Sequence, residues 1–134
     1  MNLLHSPANA TPPSQIGNIH ALLAEIAALL GKLAENGGSG FIDLKSLPLA
    51  PGEARQLHDI LGRGEVTASI DALGPSEIIE TRYPGVWRVL HRNAGGDITA
   101  DLLEIAHIPE ILKAHPDDVR TSRLRVLERL AGTQ

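Results

Sequence analysis

The residues of this chain that could do chemistry are histidines and carboxylates, and their spacing disfavours most of the chemistry one would try first. The six histidines stand at 5, 20, 58, 91, 107 and 115. No two lie four residues apart, so neither His-x-x-x-His nor His-Glu-x-x-His is present to hold a metal on one helix face. His91 and His107 fall on neighbouring predicted strands. With Glu104 they make the one set worth carrying forward as the site of a small metal-binding protein or enzyme, against the plainer reading of surface or satisfied core histidines. Glu77, Glu80 and Glu104 are the candidates for acid–base work. Strand alternation sends Glu77 and Glu80 to opposite faces, which argues against a glycosidase-like dyad. Glu80 shares a face with Arg82 and reads as half of a solvated charge pair. Gly62-Arg63-Gly64 resembles a phosphate loop only in composition: it follows a predicted helix and precedes a strand, the reverse of the order that aims amides at a phosphate. It reads as a helix cap and turn. No Gly-x-Ser-x-Gly occurs, and the absence of cysteine excludes disulfides, thiolate nucleophiles and Cys-held zinc or iron–sulfur centres built by this chain alone. The expectation is no catalytic residue, no metal and no cofactor.

Tyr83 and Trp87 differ in kind. Phe41, Tyr83 and Trp87 are the whole aromatic complement, and two of them flank a Pro84-Gly85 turn beside Arg82 and Arg88. Aromatic and arginine side chains dominate the energetics of protein interfaces, so this turn is a candidate contact surface. Trp87 reads equally well as the largest core anchor of its strand. Trp87, Val89 and His91 share one strand face and Val86, Arg88 and Leu90 the other. Both faces are partly apolar, as if one covered a helix and the other met a partner.

The bulk properties narrow the partner. A net charge of −4 makes nucleic acid a poor fit, since duplex affinity comes mainly from cations neutralising phosphates, and three aromatics cannot build a base-stacking platform. No apolar run reaches the roughly 18 residues of a membrane span. The first residues carry no basic segment followed by an apolar one, so no signal peptide is expected and the location reads as cytoplasmic. At 134 residues with 43% apolar composition, one ordinary globular domain is expected over 14–134 after a loose, proline-punctuated tail at 1–13.

The elements that must position these residues follow from periodicity. A helix is predicted over 14–35, N-capped by Ser14 and stopped by Asn36-Gly37-Gly38. Its apolar seam is Ile16, Ile19, Leu23, Ile26, Leu30 and Leu33, widened by Leu22 and Leu29. Such a stripe packs on a sheet or, as the sharper alternative, joins two copies through Ile16, Ile19, Leu23, Ile26 and Leu30 as a homodimer contact. A short strand at 40–44 and a helix at 51–61 come next, the helix opened by Pro51 and closed by Gly62, with Ala54, Leu57 and Leu61 inward. Strands at 65–71, 76–83, 86–92 and 98–107, joined by Gly/Pro turns, read as an antiparallel meander. Pro84-Gly85 fits a type II turn, at which a bulge is expected. A short helical turn runs from Pro109 to Lys113, and a last helix from Pro116 to about Leu130, with Leu124, Leu127 and Ala131 inward beside Val126 and Leu130. The fold class is thus α+β: a four- to five-stranded antiparallel meander packed against N-terminal, middle and C-terminal helices.

Three motifs in order, Gly62-Arg63-Gly64-Glu65-Val66, Glu80-Thr81-Arg82-Tyr83-Pro84-Gly85-Val86-Trp87 and Leu103-Glu104-Ile105-Ala106-His107-Ile108-Pro109-Glu110-Ile111-Leu112, resemble the conserved domain of the HupH/HyaF-type hydrogenase expression proteins. The likeness covers roughly residues 41–115. It implies an accessory protein of [NiFe] hydrogenase maturation, a chaperone or scaffold without enzymatic activity. It also implies a partner in the hydrogenase small subunit or a fellow maturation protein. Arg82, Tyr83, Trp87, Arg88, Glu104, His107 and Glu110 are the partner-binding candidates. Members of that family are commonly about twice as long, which raises dimerisation of the lone domain as an expectation.

Overall fold

The computed structural model describes residues 13–71 and 74–132, with side-chain surroundings from residue 18 onward. The tail expected over 1–13 lies outside the described residues apart from Pro13. Helix α1 runs Pro13–Asn36, strand β1 Gly40–Asp43, helix α2 Pro51–Leu61, then β2 Thr67–Asp71, β3 Pro75–Glu80, β4 Val86–Arg92 and β5 Ile98–Ile105, and helix α3 comes last at Pro116–Gly132. Single 3-10 turns sit at Leu44–Ser46 and Glu110–Leu112. Ser14, the predicted N-cap, lies inside the first turn of α1.

The strands form one antiparallel sheet in the order β1-β5-β4-β3-β2. The predicted meander is therefore present, and β1 adds a fifth strand beside β5 with Gly40 opposite Ile105. The strands predicted at 65–71, 76–83 and 98–107 are shorter in the structure, because Glu65 and Val66, residues 81–83, and Ala106 and His107 belong to the connecting turns. Two glycines shape the turns. Gly85 takes φ 97 with Val86 N–H donating to Tyr83 C=O at 2.9 Å, as position i+2 of a type II turn requires. Gly62 ends α2 at φ 62, and any side chain there would put its first carbon 2.5 Å from Arg82 Nε. A bulge is expected at Pro84-Gly85, but the irregularity in β4 lies at the far end of the strand, in its pairing with β5, between His91 and Arg92. At the Gly85 end Thr81 N–H donates to Val86 C=O at 3.1 Å, which carries regular pairing right up to the turn.

Register divides the sheet into two faces. On one, Ile42, Leu103, Ile105 and Val86 meet Ile19, Leu22, Ile26 and Leu33 of α1 and Leu57 and Leu61 of α2 in the main core. On the other, Ala68, Ile78, Val89 and Leu102 form a row straight across β2-β3-β4-β5. Ile78, Val89 and Trp87 are its buried centre, with Ala68, Ile70, Leu102 and Leu112 packed around them.

The seam of α1 is used inside its own chain: Ile19 and Ile26 are buried, and Leu23 and Leu30 pack against the same core. Ile16 lies outside the residues whose side chains are described. The seam therefore presents no free stripe of those residues to a second copy. α3 departs from expectation. The periodicity predicts Leu124, Leu127 and Ala131 inward beside Val126 and Leu130, yet the four larger ones are 57%, 44%, 66% and 67% exposed in that order. Ala131 is exposed as well, and α3 buries no residue. Only three residues separate Leu112, anchored on the sheet, from Pro116, and this link carries the helix off the body rather than across it.

Candidate functional site

The partner-binding residues read from sequence divide into two groups in space. One gathers at the end of the sheet where β3 hands over to β4 and β5 runs into the 3-10 turn. There Ala106 N–H donates to Gly85 C=O at 3.0 Å, tying the β5 exit to the Pro-Gly turn. Trp87 is 7% exposed, and its indole Nε1–H donates to Ala106 C=O at 3.1 Å. Glu104, directly opposite Trp87 on β5, is 4% exposed and accepts from Glu110 N–H at 2.9 Å. A buried carboxylate is tolerable only when such donors satisfy it, and this one caps the 3-10 turn beyond β5. Trp87 and Glu104 thus act as fixings beneath the surface.

In the segments tied down here, Tyr83, Ile108 and Ile111 are 45%, 53% and 41% exposed. His107 sits between two clefts at this end. One, of about 330 Å³, is lined by Leu30, Leu33, Pro84, Gly85 and Trp87; the other, of about 240 Å³, by Leu33, Gly37, Ala106, Ile108 and Lys113. The end of α1 makes a wall of both through Leu33. Glu110 is exposed and paired with Lys113 at 3.1 Å.

Arg82 and Arg88 belong elsewhere. Arg82 N–H donates to Leu61 C=O at 2.9 Å and its guanidinium lies over Gly62. The solvated pair expected between Glu80 and Arg82 does not form. Glu80 Oε1 instead accepts from Glu65 N–H at 2.9 Å and Val66 N–H at 3.2 Å, and Gly64 N–H donates to Glu80 C=O at 2.7 Å. The Gly62-Arg63-Gly64 segment is accordingly a cap and turn laced to the end of β3.

Arg88 points to the helix-covered face. Its Nε–H and NH2 donate to Asp101 Oδ1 and Oδ2 at 3.2 and 3.1 Å, a bidentate pair. His58 Nε2 of α2 lies 3.5 Å from the same carboxylate. Burial alone pushes the Asp101 carboxyl up, but the hydrogen bonds and charges of His58 and Arg88 outweigh it and hold the group below its ordinary value. This trio pins α2 to the sheet, and Arg88 is occupied by it.

Sequence reading missed Thr81, His58 and Asp101. Thr81 is 3% exposed; its hydroxyl donates to Val86 C=O at 2.8 Å and accepts from Tyr83 N–H at 3.2 Å. A threonine two residues before a turn residue is a recognised local signal. His58 and Asp101 lie more than forty residues apart in the chain and carry no local one.

The histidine pair of the alternative reading is taken apart by register. His91 stands opposite Ala100 and shares a hydrogen bond at Nδ1 with Ser76 Oγ at 2.7 Å, whereas His107 lies two residues beyond the end of β5. At about 3.3 Å per strand residue the two are on the order of 20 Å apart. Among the described residues no three His, Asp or Glu side chains gather as metal ligands, and no helix is long and apolar enough to cross a membrane.

Comparison with known proteins supplies the relatives. The family described as "HupH hydrogenase expression protein, C-terminal conserved region" matches residues 16–132. The chain is 28% identical over 125 residues to the hydrogenase expression/formation protein HupH of Rhizobium leguminosarum bv. viciae, covering 93% of this chain and 43% of that protein. It is 31% identical over 121 residues to the hydrogenase expression/formation protein HupQ of Azotobacter chroococcum, covering 89% and 43%. It superposes on the solved structure of the hydrogenase expression protein HupH from Thiobacillus denitrificans with a TM-score of 0.81 at 42% identity, covering 87% of this chain and 97% of that one. The chain spans less than half the length of the curated relatives it matches.

Proposed function

This chain belongs to the HupH hydrogenase expression protein family, through its C-terminal conserved region, and from that premise we propose that it serves hydrogenase formation as a cytoplasmic, non-catalytic binding scaffold. The client is a hydrogenase subunit, the small subunit first, or a fellow maturation protein. The observation that carries this reading is the exposed Tyr83, Ile108 and Ile111 around two apolar-walled clefts. They stand on a base held rigid by the Trp87–Ala106 and Glu104–Glu110 bonds. Exposed apolar side chains on a preorganised base lose little entropy on binding, which is where interface affinity is gained. Arg82, Tyr83, His107 and Glu110 are the contact residues proposed; Trp87 and Glu104 position them from below, and Arg88 acts through the α2 anchorage.

The test is a tagged pull-down from a hydrogenase-expressing host, with co-purifying proteins identified by mass spectrometry. The parent chain should recover a hydrogenase small-subunit precursor or a named maturation factor. Tyr83→Ala and Ile108→Glu should cut that recovery roughly tenfold, as hot-spot losses do, with unchanged circular dichroism and melting. Recovery that survives both substitutions in folded protein, or that includes no hydrogenase-related protein, overturns the proposal.

A further inference from the structure

The sheet ends in two edge strands, β1 and β2, and register decides how open each one is. β2 pairs with β3 so that Ala68 stands opposite Ile78 and Ser69 opposite Glu77. Glu80 N–H donates to Val66 C=O at 2.9 Å, which sets the phase of that ladder: Ala68 and Ile70 turn their backbone groups to β3. The N–H and C=O groups of Thr67, Ser69 and Asp71 therefore point away from the sheet. The same reasoning from the Ala106–Gly85 bond leaves Phe41 and Asp43 outward on β1. The Asp43 C=O is taken by the Ser46 hydroxyl at 2.9 Å as the 3-10 turn begins, so Phe41 alone keeps both groups open there. β2 lacks the devices that blunt an edge. It carries no lysine, proline or bulge, and its one charge, Asp71, stands at its end. Thr67, Ser69 and Asp71 are exposed, and Ala68 and Ile70 are half-buried.

This strand is complementary to itself in one antiparallel register, the one that sets Ser69 of both copies on a shared two-fold axis. Thr67 then stands opposite Asp71 and Ser69 opposite Ser69, and each of these pairs exchanges both of its backbone bonds. On one face the Thr67 hydroxyl meets the Asp71 carboxylate, a donor against an acceptor. On the other, Ile70 of each copy meets Ala68 of the other, large against small, in the closer non-hydrogen-bonded pairs. The Leu102-Val89-Ile78-Ala68 row thus continues into the second copy. Neighbouring registers fit worse. With Ala68 on the axis, Glu65 of each copy would face Asp71 of the other, like charge against like. With Ile70 on the axis, Thr67 would have no partner within β2. We propose that two copies join β2 to β2 about Ser69 in a closed two-fold dimer, doubling the five-stranded sheet. The dimer is a property of the purified chain by itself, so its failure leaves the hydrogenase reading standing, and the reverse also holds.

Sedimentation of the purified chain at rising concentration should move from the 14.3 kDa of one chain to twice that mass. Ser69→Pro removes an N–H that points away from β3, and proline is tolerated on the open side of an edge strand. That variant should keep the circular dichroism and melting of the parent yet stay at one-chain mass. Ser69→Lys, which sets two like charges on the axis, should do the same and serves if the proline variant fails to fold. The chain has no cysteine, so introduced thiols report unambiguously. Across the axis the two Ser69 Cα atoms lie about 5.5 Å apart, inside the disulfide range, so Ser69→Cys should oxidise to a linked pair. Chains carrying Thr67→Cys mixed with chains carrying Asp71→Cys should link to each other in preference to either like pair. One-chain mass of the parent at every concentration overturns the dimer. Two-chain mass that survives Ser69→Lys in folded protein overturns β2 as the seam. Preferential like-pair linkage through Thr67→Cys overturns the register.

Discussion

The first and last helices both carry an apolar stripe and end in opposite surroundings. α1 places eight Leu or Ile in 24 residues, and α3 five Leu or Val in 17, yet α1 is seated in the main core and α3 buries none of its residues. The difference lies in charge, seven charged residues in α3 against three in α1, and in the segments that flank each helix. After α1, Gly37 at φ 77 donates its N–H to Leu33 C=O and reverses the chain into β1. That strand is paired with β5, so α1 is held over the face that β1 and β5 share. Only three residues separate Leu112 from the start of α3, and no strand among the described residues comes after it to fasten its far end. Periodicity specifies that a helix has an apolar face; chain connectivity decides where that face is brought to rest.

Substitutions at matched positions test this contrast. The largest effect is expected at Trp87, which lies in the buried centre of the second sheet face and is tied to Ala106: Trp87→Ala should cost about 3–5 kcal/mol in urea unfolding. A cost below about 1 kcal/mol would mean that this face contributes no core of its own. Ile26→Ala on α1 should cost about 2–5 kcal/mol by the same measurement. A near-neutral result would break the contrast from the other side. A smaller, pH-dependent effect is expected where α2 is pinned. Asp101 is held below its ordinary value of 3.8, so folding favours its ionised form. That stability is whole above about pH 4 and fades as the pH falls through the lowered folded value. Asp101→Asn should therefore be less stable than the parent near neutral pH and converge with it in acid. A constant difference between the two across the whole pH range would exclude the Arg88–Asp101–His58 contact as a fastening. The smallest effect is expected on α3: Leu124→Ala should change stability by no more than about 0.5 kcal/mol. A loss of about 2 kcal/mol there, the cost of truncating a core leucine, would place α3 on the body of its own copy.

The strand and helix assignments were legible because each rests on local chemistry. The Pro51 start and Gly62 end of α2, the alternation of β2 and the Pro84-Gly85 turn each need only neighbours in sequence to be read. The three motifs that carry the family likeness were legible for the same reason. The arrangement of the candidate residues was legible in part. Tyr83, Trp87, Glu104 and Glu110 do gather at one end, because the turn and the β5 exit are adjacent in the sheet. The pairing of Arg88 with Asp101 and His58, the diversion of Glu80 to Glu65 and Val66, and the burial of Thr81 were not legible. Each depends on register across strands or on which face α2 covers.

By itself, then, the sequence determined the elements, their order, the absence of thiol chemistry and the membership of a family, since composition, periodicity and motif are properties of neighbouring residues. The tertiary structure alone decided that His91 and His107 lie at opposite ends of the sheet. It also decided that Trp87 is a support under the surface, and that α3 stands off the body that α1 completes. Those outcomes depend on strand register and on where short links allow an element to reach, and a one-residue change in register moves a side chain to the other face.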